Sequence, residues 1–266
     1  MSTVGYTLRD SRTMLVRNLR HQRRYPSMTL MIAALPVVFL LLFVYVFGGT
    51  LGAGLPGGTG SGGRAEYLAY VVPGILLLTM AGAATSTAVS VAMDMNEGIV
   101  ARFRTMAISR ASVLTGHVWG SVIQTMASLA FVLGVAVLIG FRSSASPLHW
   151  LAAAGLLALT SLAITWLLVA LGLISKSVES ASNAPMPLLL LPFLGSGFVP
   201  TASLPAGLRQ FAEYQPFTPI IETLRTLMAG GHVGSSAMVA VAWCVGIALA
   251  GYVWAKHLFN RDPSKR

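Results

Sequence analysis

Cysteine is nearly missing from this sequence, and two structural options go with it. The single residue, Cys244, lies in an apolar run, which excludes an internal disulfide and a cysteine metal cluster. Histidine offers no substitute. The five (His21, His117, His149, His232, His257) are scattered over different segments and no HExxH motif occurs, so no metal site is expected. A P-loop needs glycine ahead of its lysine, whereas Lys176 follows Ser175, Lys256 follows Ala255 and Lys265 follows Ser264, so the chain lacks an ATP site of that kind. Charge is also scarce: Asp, Glu, Lys and Arg make up only 10% of the residues, too few for a soluble domain of this length.

What fills the space is apolar. Hydrophobic residues reach 55%, which reads as an all-α polytopic membrane protein with its core in lipid. Six apolar runs follow one another: Met28 to Phe47, Leu68 to Ala92, Val113 to Ile139, His149 to Ile174, Ala184 to Val199 and Ala237 to Ala255. Most reach the roughly 20 residues needed to span a bilayer. The fifth is short and broken by Pro185, Pro187, Pro192, Gly195 and Gly197. Gly48 to Gly63 reads as a flexible turn between the first two runs. Ahead of them, residues 1–27 place Val4, Leu8, Ser11, Leu15 and Leu19 on one helical stripe, with six arginines on the other sides. That pattern predicts an interfacial helix on anionic headgroups, and the same arginines also orient the chain. The first apolar run is long enough to cross, so it is read as a mature span rather than a secretory signal.

The net charge of +10 would point to nucleic acid in a soluble protein, but its distribution marks topology. With a cytoplasmic N-terminus, fourteen Lys and Arg fall on the cytoplasmic side, and Arg64, Arg142, Arg209 and Arg225 on the other. A bias of this size predicts that both termini and the connection after the second run are cytoplasmic. Tyr67, Tyr70, His149, Trp150 and Trp254 sit near span ends, where aromatic and amphipathic rings anchor to the interface.

Inside the runs almost no ionisable group occurs, so a pump driven by an ion gradient lacks its usual titrating residues. Energy is expected to enter from the cytoplasmic side. Thr79, Ala83, Ser86 and Ser90 share a face of the second run, and Gly116, Gly120, Gln124 and Ser128 step along the third. Such faces let helices pack closely, or line a path for substrate, with Gln124 the leading polar contact. Gly195-Ser196-Gly197 suggests a serine nucleophile, but the later histidines, His232 and His257, are expected at opposite membrane surfaces, out of reach.

Two connections stand out. Met93 to Arg110 gathers Asp94, Glu97, Arg102, Arg104 and Arg110 and so cannot lie in lipid, while Ile99, Val100, Phe103, Met106 and Ile108 keep helical spacing. It is either a short amphipathic helix or a solvated loop. Pro200 to His232 is apolar but interrupted by Pro205, Pro216 and Pro219, which predicts two short helices, near Ala206 to Tyr214 and Ile220 to Ala229, capping the bundle's outer face. Glu222 and Arg225 lie three apart and are placed to pair.

The order of these pieces resembles an ABC-2 type exporter permease, and within it the daunorubicin-resistance-type subgroup. The motifs that carry the likeness are Glu97-Gly98 followed by ARFRTMAISR (Ala101 to Arg110), and Gly197 to Arg225, from GFVPTASLP through FAEYQPFTPIIETLR. Ala101 stands where relatives commonly have an acid, and Ala107 where they often have proline. The resemblance implies an interfacial segment over 1–27 and a six-span domain over 28–266, with a coupling helix at 93–110 and a re-entrant outer segment at 200–232. It implies no catalytic, cofactor or metal site in this chain: ATP and Mg2+ would be used by two copies of a separate ATPase, docked below a pair of identical or homologous permease chains. Asp94, Glu97, Gly98, Arg102, Arg104 and Arg110 would be the polar or turning residues of that joint and Phe103 its apolar anchor. Thr79, Ser86, Ser90, Gln124, Phe193 and Phe198 would lie along the path, and Pro200, Pro205, Pro216, Glu222 and Arg225 at an outer gate. The implied activity is export of amphipathic or lipophilic compounds such as drugs across the plasma membrane. A lipid or glycan exporter of the same family is the alternative, and a passive channel or a membrane scaffold lies outside it. Membrane lipid is the expected surroundings and nucleic acid is not an expected partner.

Overall fold

A computed structural model describes residues 26–53, 55, 63–96 and 110–260. Most of the expected interfacial helix and the residues from Glu97 to Ser109 lie outside the described residues.

The described residues are helical almost throughout. Helix α1 (Pro26–Leu42) continues through one π turn (Phe43–Phe47) into α2 (Gly48–Ala53). Helix α3 (Arg64–Asn96) is 33 residues long, about 50 Å at 1.5 Å per residue. Helix α4 (Arg110–Leu138) ends where Gly140 turns left-handed (φ +112°). The Phe141 amide then donates to the Ala136 carbonyl and the Gly140 amide to Val137, so two of the last carbonyls of α4 are satisfied. Helix α5 (Pro147–Ile174) starts on Ser146, whose hydroxyl accepts from the His149 amide, with Pro147 in the first turn where no amide is needed. The short α6 (Val178–Asn183) and α7 (Met186–Leu190) follow, then α8 (Ala206–Tyr214), α9 (Phe217–Met228) and α10 (Ser235–Asn260).

Helix α3 is central: Val71, Ile75, Leu76, Leu77, Met80, Ala84 and Ala88 are all buried along it. It packs against α4 and α5, and α5 packs in turn against α10. Close approach replaces the hydrophobic effect here, because lipid tails solvate leucine as well as a neighbouring helix does. A methyl group on Gly172 of α5 would meet the Ala88 carbonyl at 2.6 Å, and one on Gly251 of α10 would meet the Leu167 amide nitrogen of α5 at 2.7 Å. The outer helices leave large apolar side chains outward, among them Met31 and Leu35 on α1, Leu138 on α4 and Met238 and Val253 on α10. Among the described residues, five helices are long and apolar enough to cross a membrane: Leu30–Ala53, Arg64–Met95, Val118–Leu138, Pro147–Ile174 and Ser235–Phe259. The chain is an all-α, multi-span membrane protein.

The fifth apolar run, Ala184 to Val199, does not form a sixth long helix. Only Met186–Leu190 is α-helical, and turns follow as far as Val199. Pro192 has no amide to donate to Leu188, and the Phe193 amide reaches back only three residues, to Leu190 (3.0 Å). The backbone nevertheless advances along α3. Gly172, near the end of α5, sits against Ala88, whereas Gly197 sits against Gly74, a little under four turns or roughly 21 Å away on α3. Pro200 to His232 contains two helices, and the second starts at Phe217, earlier than Ile220, because Pro216 and Pro219 fall at its N-terminal end, where proline is tolerated.

Candidate functional site

A broken helix leaves carbonyls without amide partners, and in an apolar setting each must find another donor. Three side chains supply them. Arg225 of α9 donates from Nη2 to the Ser196 carbonyl (2.7 Å), and from Nη2 and Nε to the Tyr70 carbonyl of α3 (3.2 and 3.3 Å). The Tyr67 hydroxyl donates to the Phe198 carbonyl (3.1 Å), and Gln215 Nε2 donates to Leu191 (2.9 Å). The Arg225 guanidinium also lies 3.8 Å from the centre of the Tyr70 ring. Each link is long-range in sequence, so the broken segment is held by α3 on one side and by α9 and the turn before it on the other.

The fit leaves little room. A methyl group on Gly74 would stand 2.6 Å from the Gly197 carbonyl, and one on Gly195 would run into Gln215 Nε2 and Thr218 Oγ1. Phe193 and Phe198 stack (centroids 4.4 Å apart, planes 6° apart), and Phe43 from the π turn closes on Phe198 at 4.7 Å.

Above this knot lies an open cavity of about 570 Å³. It is lined by Glu66 and Tyr70 of α3, Phe141, Arg142 and Ser144 of the α4–α5 loop, Ser196 to Ala202 in part, and Glu222 and Arg225 of α9. The α4–α5 loop is fastened to the end of α9, where the hydroxyls of Ser143 and Ser144 donate to the carbonyls of Met228 (2.5 Å) and Ala229 (2.7 Å). Gly230, at φ +73°, ends α9 there, with its amide donating to Leu227 and that of Gly231 to Thr226. Burial pushes the Glu222 carboxyl above its usual range, a rise the Arg225 charge opposes and Glu213 adds to. Burial likewise draws Arg225 below the usual guanidinium value, opposed by Tyr70 and Glu222. The Ser196 hydroxyl is buried without a hydrogen-bond partner beside the cavity.

Of the outer-gate residues read from sequence, Pro200, Glu222 and Arg225 line this cavity, while Pro205 and Pro216 cap α8 and α9. Arg225 gives its hydrogen bonds to two carbonyls rather than to Glu222. Among the path residues, Phe193 and Phe198 meet in the aromatic stack. Thr79 is fully buried and donates to the Ile75 carbonyl of its own helix (2.8 Å), Ser86 donates to Ala83 (2.6 Å), and Ser90 and Gln124 are half-buried on α3 and α4. Thr87 and Ser121, which join α3 to α4 at 2.5 Å, were not singled out by the spacing. Of the joint, Asp94 lies in the last turn of α3 and Arg110 opens α4, and Glu97, Gly98, Arg102, Phe103 and Arg104 lie outside the described residues. Tyr67 is a correction: it is fully buried and bonded to the broken segment, not anchored at an interface. Among the described residues no His, Cys, Asp and Glu side chains cluster as a metal site.

Comparison with known proteins bears on the whole arrangement. Residues 10–229 match the family model described as ABC-2 type transporter. The chain is similar to the daunorubicin resistance ABC transporter permease protein DrrB1 of Streptomyces coeruleorubidus, 26% identical over 238 residues that cover 89% of this chain and 78% of that protein. It is also similar to the probable doxorubicin resistance ABC transporter permease protein DrrC of Mycobacterium tuberculosis, 26% identical over 192 residues, covering 68% of this chain and 70% of that one.

Proposed function

The chain belongs to the ABC-2 type transporter family, and from that premise we propose that it is the permease half of a two-part exporter for amphipathic drugs. Membership makes it a membrane-embedded transport subunit of an efflux system, not an enzyme. The drug class rests on the relatives, whose names tie them to daunorubicin and doxorubicin resistance.

The observation that carries the reading is the division of the molecule into two ends. Helices α3, α5 and α10 begin, and α2 and α4 finish, at the end that holds the cavity. The start of α1, the end of α3, the start of α4, the turn after α5 and the end of α10 therefore belong to the opposite end, and in the sequence fourteen of the eighteen Lys and Arg fall in the segments that lead from those helix ends. The positive-inside bias assigns that end to the cytoplasm. In this reading the broken segment is the sixth crossing, Met93 to Arg110 is the coupling helix seated on an ATPase, and the cavity with its knot is the outer gate. Coupling is mechanical, since ATP is hydrolysed on a partner and the crossings carry almost no titrating group. A second permease chain, identical or homologous, faces this one across the membrane.

The test is to co-express the tagged chain with a neighbouring ATPase, purify it in mild detergent and assay ATP hydrolysis. The ATPase is expected to co-purify with the wild type and to be lost, at unchanged permease yield, when Arg102 and Arg104 are reversed to Glu. Equal recovery with both variants present would remove the coupling role from this stretch.

A further inference from the structure

The cavity has an unusual balance of charge for the outer face of so apolar a chain. Its wall carries two carboxylates, Glu66 and Glu222, and two guanidiniums, Arg142 and Arg225, so it is dipolar without being charged overall. The four come from three separate pieces of chain: Glu66 from the first turn of α3, Arg142 from the loop clamped on α9, and Glu222 and Arg225 from α9 itself. Arg225 is paired with carbonyls and with the Tyr70 ring, partners weaker than an anion. Beside it the buried Ser196 hydroxyl has no partner.

We infer that this cavity is a binding site for a zwitterionic amphiphile, a head bearing an ammonium beside a phosphate or carboxylate. A cationic head would satisfy Glu66 and Glu222 but place its charge beside two arginines, and an anionic head would do the reverse. A zwitterion pairs with both. The anion takes Arg142 and draws on Arg225 at the cavity wall, and the ammonium takes the carboxylates. Tyr70, Phe141, Pro200 and Met228 supply apolar wall for the first carbons of the tail. An anion drawing on Arg225 competes with the Tyr70 and Ser196 carbonyls, so occupancy loosens the knot that joins α3 to the broken segment. This inference rests on the reading of this end as the outer gate and narrows the substrate to molecules that pass it, whether a lipid or an exported compound.

Binding is measured on the full chain in a maltoside detergent, with dihexanoylphosphatidylethanolamine, dihexanoylphosphatidylglycerol and decylamine as probes. The zwitterion is expected to bind at least about tenfold more tightly than either singly charged probe, as one charged hydrogen bond is worth that much. Glu66→Gln is expected to weaken phosphatidylethanolamine and decylamine but not phosphatidylglycerol, and Arg142→Gln to weaken phosphatidylethanolamine and phosphatidylglycerol but not decylamine. Both positions are exposed, so neither variant endangers the fold. Glycerophosphoethanolamine, which has no tails, separates the sources: equal affinity assigns the site to a water-soluble zwitterion, and a weaker one to a lipid. A singly charged probe that binds as tightly as the zwitterion, or affinities unmoved by both substitutions, overturns the inference. ATPase co-purification is scored separately, so a failure of the site and a failure of the exporter reading give different results.

Discussion

Arg225 shows how a single side chain can decide the shape of this bundle. It sits on α9, yet its bonds close the gap between α3 and a segment whose helical hydrogen bonding is interrupted at Pro192. Removing it strands the Ser196 carbonyl, whose i+4 residue is Pro200, and takes a second donor from Tyr70, so Arg225→Ala is expected to destabilise the fold by about 1–3 kcal/mol. Arg225→Lys keeps the charge but cannot fork between two acceptors, so it should recover only part of that loss. Unfolding midpoints in detergent check both, and a lysine variant as stable as the wild type would show that charge alone suffices. The sequence marked this arginine as lying three from Glu222 and placed to pair with it. Its true partners were not legible, because backbone carbonyls leave no mark in a sequence. Tyr67 was misread for the same reason: a tyrosine near a span end fits an interface, and only the break at Pro192 to Gly197 creates the carbonyl that draws its hydroxyl inward.

At the level of elements, long runs were easier to read than interruptions. Five runs became helices, four near their expected limits and the first running on to Ala53 through part of the stretch read as a flexible turn, since twenty apolar residues in lipid have few other ways to satisfy their backbone. Proline and glycine in the fifth run announced its break, though not the stack that fills the space. The π turn Phe43–Phe47 had no signal in the sequence: it replaces i−4 bonds by i−5 bonds and changes the angle at which later side chains leave the helix. It brings Phe43 to 4.7 Å from Phe198, which in turn stacks on Phe193. If the π turn and the broken segment hold each other through this contact, Phe43→Leu and Phe198→Leu are not independent. A double-mutant cycle on stability is expected to give a coupling of about 0.5–1.5 kcal/mol. Additive losses would mean the two elements are fixed separately.

Across the whole molecule, the orientation rests on charge counts in the connections, while the shape rests on packing that knows nothing of the membrane's two sides. The two agree in one respect: the helix ends that lead into arginine-poor stretches of the sequence meet at the cavity, and those that lead into arginine-rich stretches lie at the far end. This can be tested directly, because Cys244 is the chain's single cysteine and is buried between helices, within 3.3 Å of the Thr160 hydroxyl. In a Cys244→Ala background, a cysteine at Ala202, exposed on the cavity wall, should react with a membrane-impermeant maleimide on intact cells. A cysteine at Lys176, exposed in the turn after α5, should react only once the membrane is opened. The reverse pattern would turn the chain over, placing the cavity in the cytoplasm and the Met93 to Arg110 stretch outside, where no ATP-driven partner can reach it. The permease reading and the zwitterion site would then need different faces, which is why this labelling belongs before any transport assay.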